Sequence, residues 1–354
     1  MTATASAVLE VMGPHHTQAQ EAWRRLDALV ASGDRAELLQ LANALMAQKD
    51  PAWLVHSVGQ RLSRQLALSP KAVHFEVLLD LLASDFLPRA RLFEVADMVA
   101  QRSTASSFVQ ALPLRHRHVG LFASVMQSLV CRGVDLSRVD EALVFRDELL
   151  ERQHTLAILP LSPTPLEHEL PVTRYSVDSS SGGGHTFPPA QPMTEALPLG
   201  VLRTDPAPEG LGRATRFWHG SKVTKVVLAP GRPASALDVS TLPLSALRGA
   251  GLRLAAVDPA LVFARLFSAA AEGGAYSSGE GNAEARRSAF VSLHAFCDDE
   301  PLADVLRTVE AAHRARWWLW EGTTWFGNVA WDLGVACLRS DGVTIVAHAA
   351  TDTD

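Results

Sequence analysis

The residues whose types and spacing suit chemistry lie in the last third of this 354-residue chain. The stretch GGAYSSGEGN, residues 273 to 282, sits between two segments that read as helices. Gly273 and Gly274 let a ligand approach the backbone, and Tyr276, Ser277 and Ser278 supply hydroxyls. The free N–H groups at the start of the second helix, with Arg286 and Arg287 one turn in, then suit a small anion such as a phosphate. Glu280 and Glu284 oppose this by placing negative charge at the mouth. There is no P-loop lysine and no GxGxxG after a strand, so a nucleotide fingerprint is absent. The competing reading is structural: Gly273 and Gly274 end one helix in a left-handed cap, and Asn282 caps the next.

The second constellation is RWWLWEGTTWFGNVAW, residues 316 to 331, which holds five of the eight tryptophans. Trp317 and Trp331 read as core residues. Trp318, Trp320 and Trp325 are hard to bury together around a GTT turn, and an exposed pair would be a stacking platform for a base, a sugar or a partner's side chain. Packing all of them in the core is the alternative. Asn328 and Asp332 share the strand face opposite Trp331. A hairpin register pairing Ser340 with Val343 sets Asp332 against Thr351, which reads as a satisfied polar network.

Asp352 and Asp354 tempt a metal reading, but near the end of the sequence they read as solvated. His116 and His118 flank Arg117, and His294 precedes Cys297 by three; neither group offers the converging ligands that zinc needs. No GxSxG, HExxH or Cys/His arrangement is present. No metal and no cofactor are expected, and the sequence leaves catalysis open.

The elements that must position these residues fall into three segments. Residues 15 to 155 read as stacked antiparallel helices. Asp34 with Glu37 makes a capping box, and Asp50-Pro51 and Ser69-Pro70 mark two more helix starts. Apolar residues recur at helical spacing, as in Val55, Val58, Leu62 and Leu66, or Phe122, Val125, Met126 and Leu129. Residues 156 to 208 hold ten of the twenty prolines and the run SSSGGG, the composition of a linker or long loop, with short pieces such as LAILPL able to dock.

Residues 209 to 354 mix helices and strands. EGLGRATRFW reads as a helix, KVTKVVLA as a strand, and Asp258-Pro259 and Pro301 as helix starts. NVAWDLGVACL and VTIVAHAA form a hairpin around Asp341-Gly342. Both faces of that hairpin are apolar or small, which places it centrally in a sheet covered by helices. The fold class is therefore α+β, an all-α domain followed by an α+β domain with a mostly antiparallel sheet.

A net charge of −6 and a pI near 6.1 argue against nucleic acid as a partner, since such a protein needs a basic face to release counterions. Only four of the 32 basic residues are lysines, the mark of a GC-rich bacterial genome. The start MTATASAVLEVMG lacks the basic region of a secretory signal, and the most apolar long segment is broken by Asp258, Pro259 and Arg265, so no membrane is expected. Cys131, Cys297 and Cys337, with no CxxC spacing, fit reduced thiols in the cytoplasm.

GGAYSSG, the helix ARRSAFVSL and the end WFGNVAWDLGVACLRSDGVTIVAHAATDTD together resemble an uncharacterised bacterial family classed as a domain of unknown function. The resemblance spans about the last third of the chain. It departs after the glycine loop, where EGNAEA replaces more aromatic residues. It implies that loop and terminal hairpin belong to one module, and it carries no activity. The expected function is a cytoplasmic, non-catalytic binding or scaffold protein with another protein as partner. One alternative is an enzyme or sensor for a small phosphorylated or nucleotide-like ligand at residues 273 to 286; another is an immunity or defence-associated partner-binding protein.

Overall fold

A computed structural model describes residues 4–12, 19–47, 53–83, 92–182, 188–189, 201–228, 239–248, 251–275, 279–326 and 331–352. The chain divides into two compact units, Met1–Leu129 with Arg174–Ser181, and Val130–Thr173 with Gly182–Asp354.

The first unit is helical: α1 (Ala5–Glu10), α2 (Ala19–Ser32), α3 (Arg35–Met46), α4 (Trp53–Ala67), α5 (Ala72–Ala83), α6 (Leu92–Arg102), α7 (Ala105–Ala111) and most of α8 (Val119–Cys131). The periodic residues Val58, Leu62, Leu66, Phe122 and Met126 are buried as the spacing requires. Asp34 caps α3 by accepting from the Glu37 amide, but the reciprocal half of the expected capping box is missing. The Glu37 carboxylate accepts from the Ala5 amide at 2.7 Å instead, tying α1 to α3. Ser69-Pro70 lies just ahead of α5, and Asp50-Pro51 lies outside the described residues. A two-stranded hairpin, β1 (Arg174–Tyr175) and β2 (Ser180–Ser181), joins this unit. The Gln101 amide exchanges two 2.8 Å hydrogen bonds with the Tyr175 backbone, imitating a strand partner.

The second unit centres on a six-stranded antiparallel sheet of β3 (Val201–Asp205), β4 (Gly220–Leu228), β5 (Arg253–Val257), β6 (Arg316–Glu321), β7 (Trp331–Leu338) and β8 (Thr344–Asp352), in the order β3-β4-β8-β7-β6-β5. The terminal hairpin β7–β8 is the central pair, and its register sets Asp332 opposite Thr351 as expected. The Asp341 carboxylate holds the turn by accepting from the Val343 and Thr344 amides, both at 2.9 Å.

Among the described residues α10 (Pro259–Glu272), α11 (Gly281–Cys297) and α12 (Val305–Arg314) accompany the sheet, preceded in the chain by α9 (Asp140–Glu151). α10 and α11 pack on one face. The other face is covered by the segment 239–248, which is helical at 239–240 and has a 3-10 turn at Ser245–Leu247, and whose Val239, Leu242, Leu244 and Leu247 complete its core.

Four local expectations change. EGLGRATRFW forms only a short 3-10 turn, Arg213–Thr215. α12 starts at the Asp304 cap rather than at Pro301. β6 runs through the tryptophan stretch. LAILPL is a buried part of the second unit, with Leu156, Leu159 and Leu161 nearly inaccessible.

Candidate functional site

The glycine loop joins α10 to α11 at one end of the sheet. Asp258 caps α10, and Gly273 ends it with a φ of 75° but a ψ of −153°. The chain therefore leaves extended rather than through a left-handed cap. Trp218 Nε1 donates to the Gly273 carbonyl at 2.9 Å. A Cβ on Gly274 would lie 1.9 Å from Asp352 Oδ2, and one on Gly279 would lie 1.9 Å from the Ala271 carbonyl oxygen. Glycine is needed because the loop is pressed against β8 on one side and α10 on the other. Tyr276, Ser277 and Ser278 lie outside the described residues. α11 then begins at Gly281, with Glu280 at the capping position and no side-chain cap. Asn282 lies inside the helix and is fully buried, so it does not cap it.

Asp352 corrects another expectation. It is 1% exposed and accepts from the Ala275 amide at 2.8 Å and from His219 Nδ1 at 2.5 Å. Burial pushes the Asp352 carboxyl up, but the hydrogen bonds from His219 and the Ala275 amide outweigh it and leave the group below the usual aspartate range. The His219 side chain itself is 69% exposed. The resulting dyad, a buried carboxylate holding an exposed imidazole, is a candidate site feature that sequence reasoning missed. Asp352 could have been placed by alternation along β8, but nothing local links it to a histidine 133 positions earlier. Asp354 lies outside the described residues.

Arg286 is not available to a ligand at this loop. Its side chain is fully buried and donates Nε and Nη2 to the Glu167 carboxylate at 2.5 and 2.9 Å. Two further bonds reach the Pro160 and Ser162 carbonyls at 2.8 and 3.2 Å. Four bonds to the 160–167 segment make Arg286 a pin for that segment, which is why the expected anion site does not form around it.

A network on the other flank of α11 uses the loop's last acid. Glu280 is buried, pairs with Arg216 Nε at 2.5 Å and accepts from Ser288 Oγ at 2.6 Å. Arg213 Nε in turn donates to Ser288 Oγ at 3.2 Å. Burial raises the Glu280 carboxyl despite these partners, and burial likewise lowers Arg213. The network sets Arg213 at a cleft of about 640 Å³ between the 209–213 turn, α11 and the 299–302 loop. Arg287, Glu209 and Glu300 also line it, and Arg287 pairs with Glu284 at 3.2 Å.

Of the two readings of the tryptophan stretch, Trp318 and Trp320 follow core packing and form no exposed platform. Trp318 and Trp320 are each 1% exposed, in the core on the sheet face away from α10 and α11. Gly334 makes this possible, since a Cβ there would come 2.5 Å from the Trp320 ring. Trp325 is half-buried, edge-on to Phe326 with ring centroids 5.2 Å apart.

Asp332 accepts from Thr351 Oγ1 at 2.6 Å. Because Asp332 pairs with Thr351 and Trp331 with Asp352, alternation puts Asp332 and Asp352 on opposite sheet faces. Arg286 and Asp332 are not brought to one pocket. Asn328 lies outside the described residues. Among the described residues no group of three His, Cys, Asp or Glu side chains could hold a metal ion, and no helix is long and apolar enough to cross a membrane.

The chain belongs to a family of unknown function (DUF6183), whose model matches residues 20–354, well beyond the last third that carried the resemblance. No curated protein and no solved structure matches it.

Proposed function

We propose that this chain is a cytoplasmic, non-catalytic binding protein that takes a segment of a protein partner in the cleft between the 209–213 turn, α11 and the 299–302 loop. One observation carries the reading: the cleft offers both cations and carboxylates, Arg213 and Arg287 with Glu209 and Glu300, at a volume of about 640 Å³. That size is within the range of binding sites, and mixed charge complements a peptide loop better than a simple anion. The commitment of Arg286, Asp332 and Asp352 to internal bonds supports it further. Cys131, Cys297 and Cys337 form no disulfide, which supports a reducing compartment. The test is a photo-crosslinking residue at Leu302 in the full chain, irradiated in cells. A discrete protein adduct that disappears with Arg287→Glu is the expected result; no adduct would overturn the reading.

The His219–Asp352 dyad favours a second reading, an enzyme or sensor for a small phosphorylated or nucleotide-like ligand at the glycine loop. A carboxylate holding an imidazole through Nδ1 orients its other nitrogen for proton transfer or ligand contact. A thermal shift with nucleotides or sugar phosphates that is lost in His219→Ala but kept in Arg287→Glu would favour it. At a hundredfold excess over Kd, bound ligand contributes about 2.7 kcal/mol.

A further inference from the structure

The first helical unit contains a cavity of about 270 Å³ bounded by the end of α4, α5, the end of α6, α7 and α8. Its floor is aromatic and aliphatic. Phe108 and Phe122 are nearly inaccessible, at 2% and 1% exposure, and Phe75 meets Phe122 edge-on at 5.6 Å. Val125 completes the floor. The rim is basic, with Lys71 and Arg102 both exposed; the Lys71 ammonium donates one bond to the Ala31 carbonyl at 2.9 Å, which leaves it two further protons for a ligand. One carboxylate, Glu76, also lines the cavity, but it faces Arg35 at 3.7 Å. Phe75 is only half-buried, so this is the part of the floor that water still reaches unless something covers it. The volume is below the roughly 300 Å³ at which drug-sized sites begin, so the occupant is small.

We propose that this cavity binds a small amphipathic monocarboxylate, its hydrocarbon body on the phenylalanine floor and its carboxylate toward Lys71 and Arg102. The floor selects an apolar body because hydration of hydrocarbon is what burial relieves. The rim selects an anion, since a charge-assisted bond from lysine or arginine is stronger than a neutral one. An alcohol of the same length satisfies the floor alone, and an amine is repelled at the rim. This site is separate from the cleft of the second unit and does not depend on its function.

The experiment is calorimetric titration of the full chain with octanoate, 1-octanol and octylammonium. Octanoate binds saturably, and octylammonium binds at least about tenfold more weakly, the factor expected from one charge-assisted hydrogen bond. Replacing both exposed cations, Lys71→Gln with Arg102→Gln, weakens octanoate by about tenfold and leaves 1-octanol unchanged. Ala111→Trp, which plugs the cavity, removes binding of both in a protein whose melting curve is unaltered. Should that variant not fold, the rim pair still decides. Absence of saturable octanoate binding, equal binding of octylammonium, or indifference of octanoate to the rim substitutions would each overturn the proposal.

Discussion

Arg286 and Glu167, 119 positions apart, form a bidentate pair at 2.5 and 2.9 Å with neither side chain more than 1% exposed. Burying two charges is costly, and the pair holds because the remaining guanidinium protons reach the Pro160 and Ser162 carbonyls. A proline-rich stretch with few regular elements is thereby fastened to α11. Arg286 is a structural residue, whatever the loop beside it does.

Arg286→Met leaves Glu167 buried without its cation and lowers unfolding stability by about 3–5 kcal/mol. Arg286→Lys also loses most of this, since an ammonium cannot serve both carboxylate oxygens and two carbonyls. Combining Arg286→Met with Glu167→Leu recovers most of the loss. Urea unfolding of the three variants measures this, and a single mutant as stable as wild type would contradict the pin.

His348 sits on the α11-facing side of β8, fully buried, with Nε2 2.9 Å from Thr215 Oγ1. Burial lowers its pKa from 6.5 to about 4. Its folded value is depressed, so the unfolded chain takes up the proton first as pH falls. The contribution is present in full above pH 6.5 and is lost progressively toward pH 4, amounting to about 3 kcal/mol. Chemical denaturation at pH 7 and pH 4.5 detects it. His348→Gln, which can still bond Thr215 but does not titrate, has a flatter pH dependence.

Trp318→Ala and Trp320→Ala each cost about 3–5 kcal/mol, as large-to-small core changes do. Trp325→Ala costs well under half of that, because its ring is only half-buried. Melting temperatures rank the three, and equal small losses at all positions would mean that the indoles do not fill the core.

Gly274→Ala places a methyl against Asp352 Oδ2 and breaks the bond that Ala275 donates to it. The expected cost is about 1–3 kcal/mol, the range for overpacking. Gly342→Ala, in a turn with nothing within 4 Å but a φ of 74°, is the control and costs about 1 kcal/mol. A Gly274→Ala variant no less stable than the control would release the loop from Asp352.

The sequence alone determined whatever depends on local period and turn chemistry. Val58, Leu62 and Leu66 specify a helix face, and Asp258-Pro259 specifies a helix start. Asp341-Gly342 sets a register that carries Asp332 to Thr351, since alternation and a turn of defined length leave no freedom. Only the tertiary structure decided the fate of side chains whose partners are distant along the chain. Asp352 near the end of the sequence meets a histidine 133 positions earlier, and Arg286 meets Glu167 instead of a ligand. Trp318 and Trp320 disappear into the sheet because β6 pairs with a strand that carries Gly334 opposite Trp320. Burial and ion pairing are properties of the assembled core, and a charge near a glycine loop takes whichever partner the fold delivers.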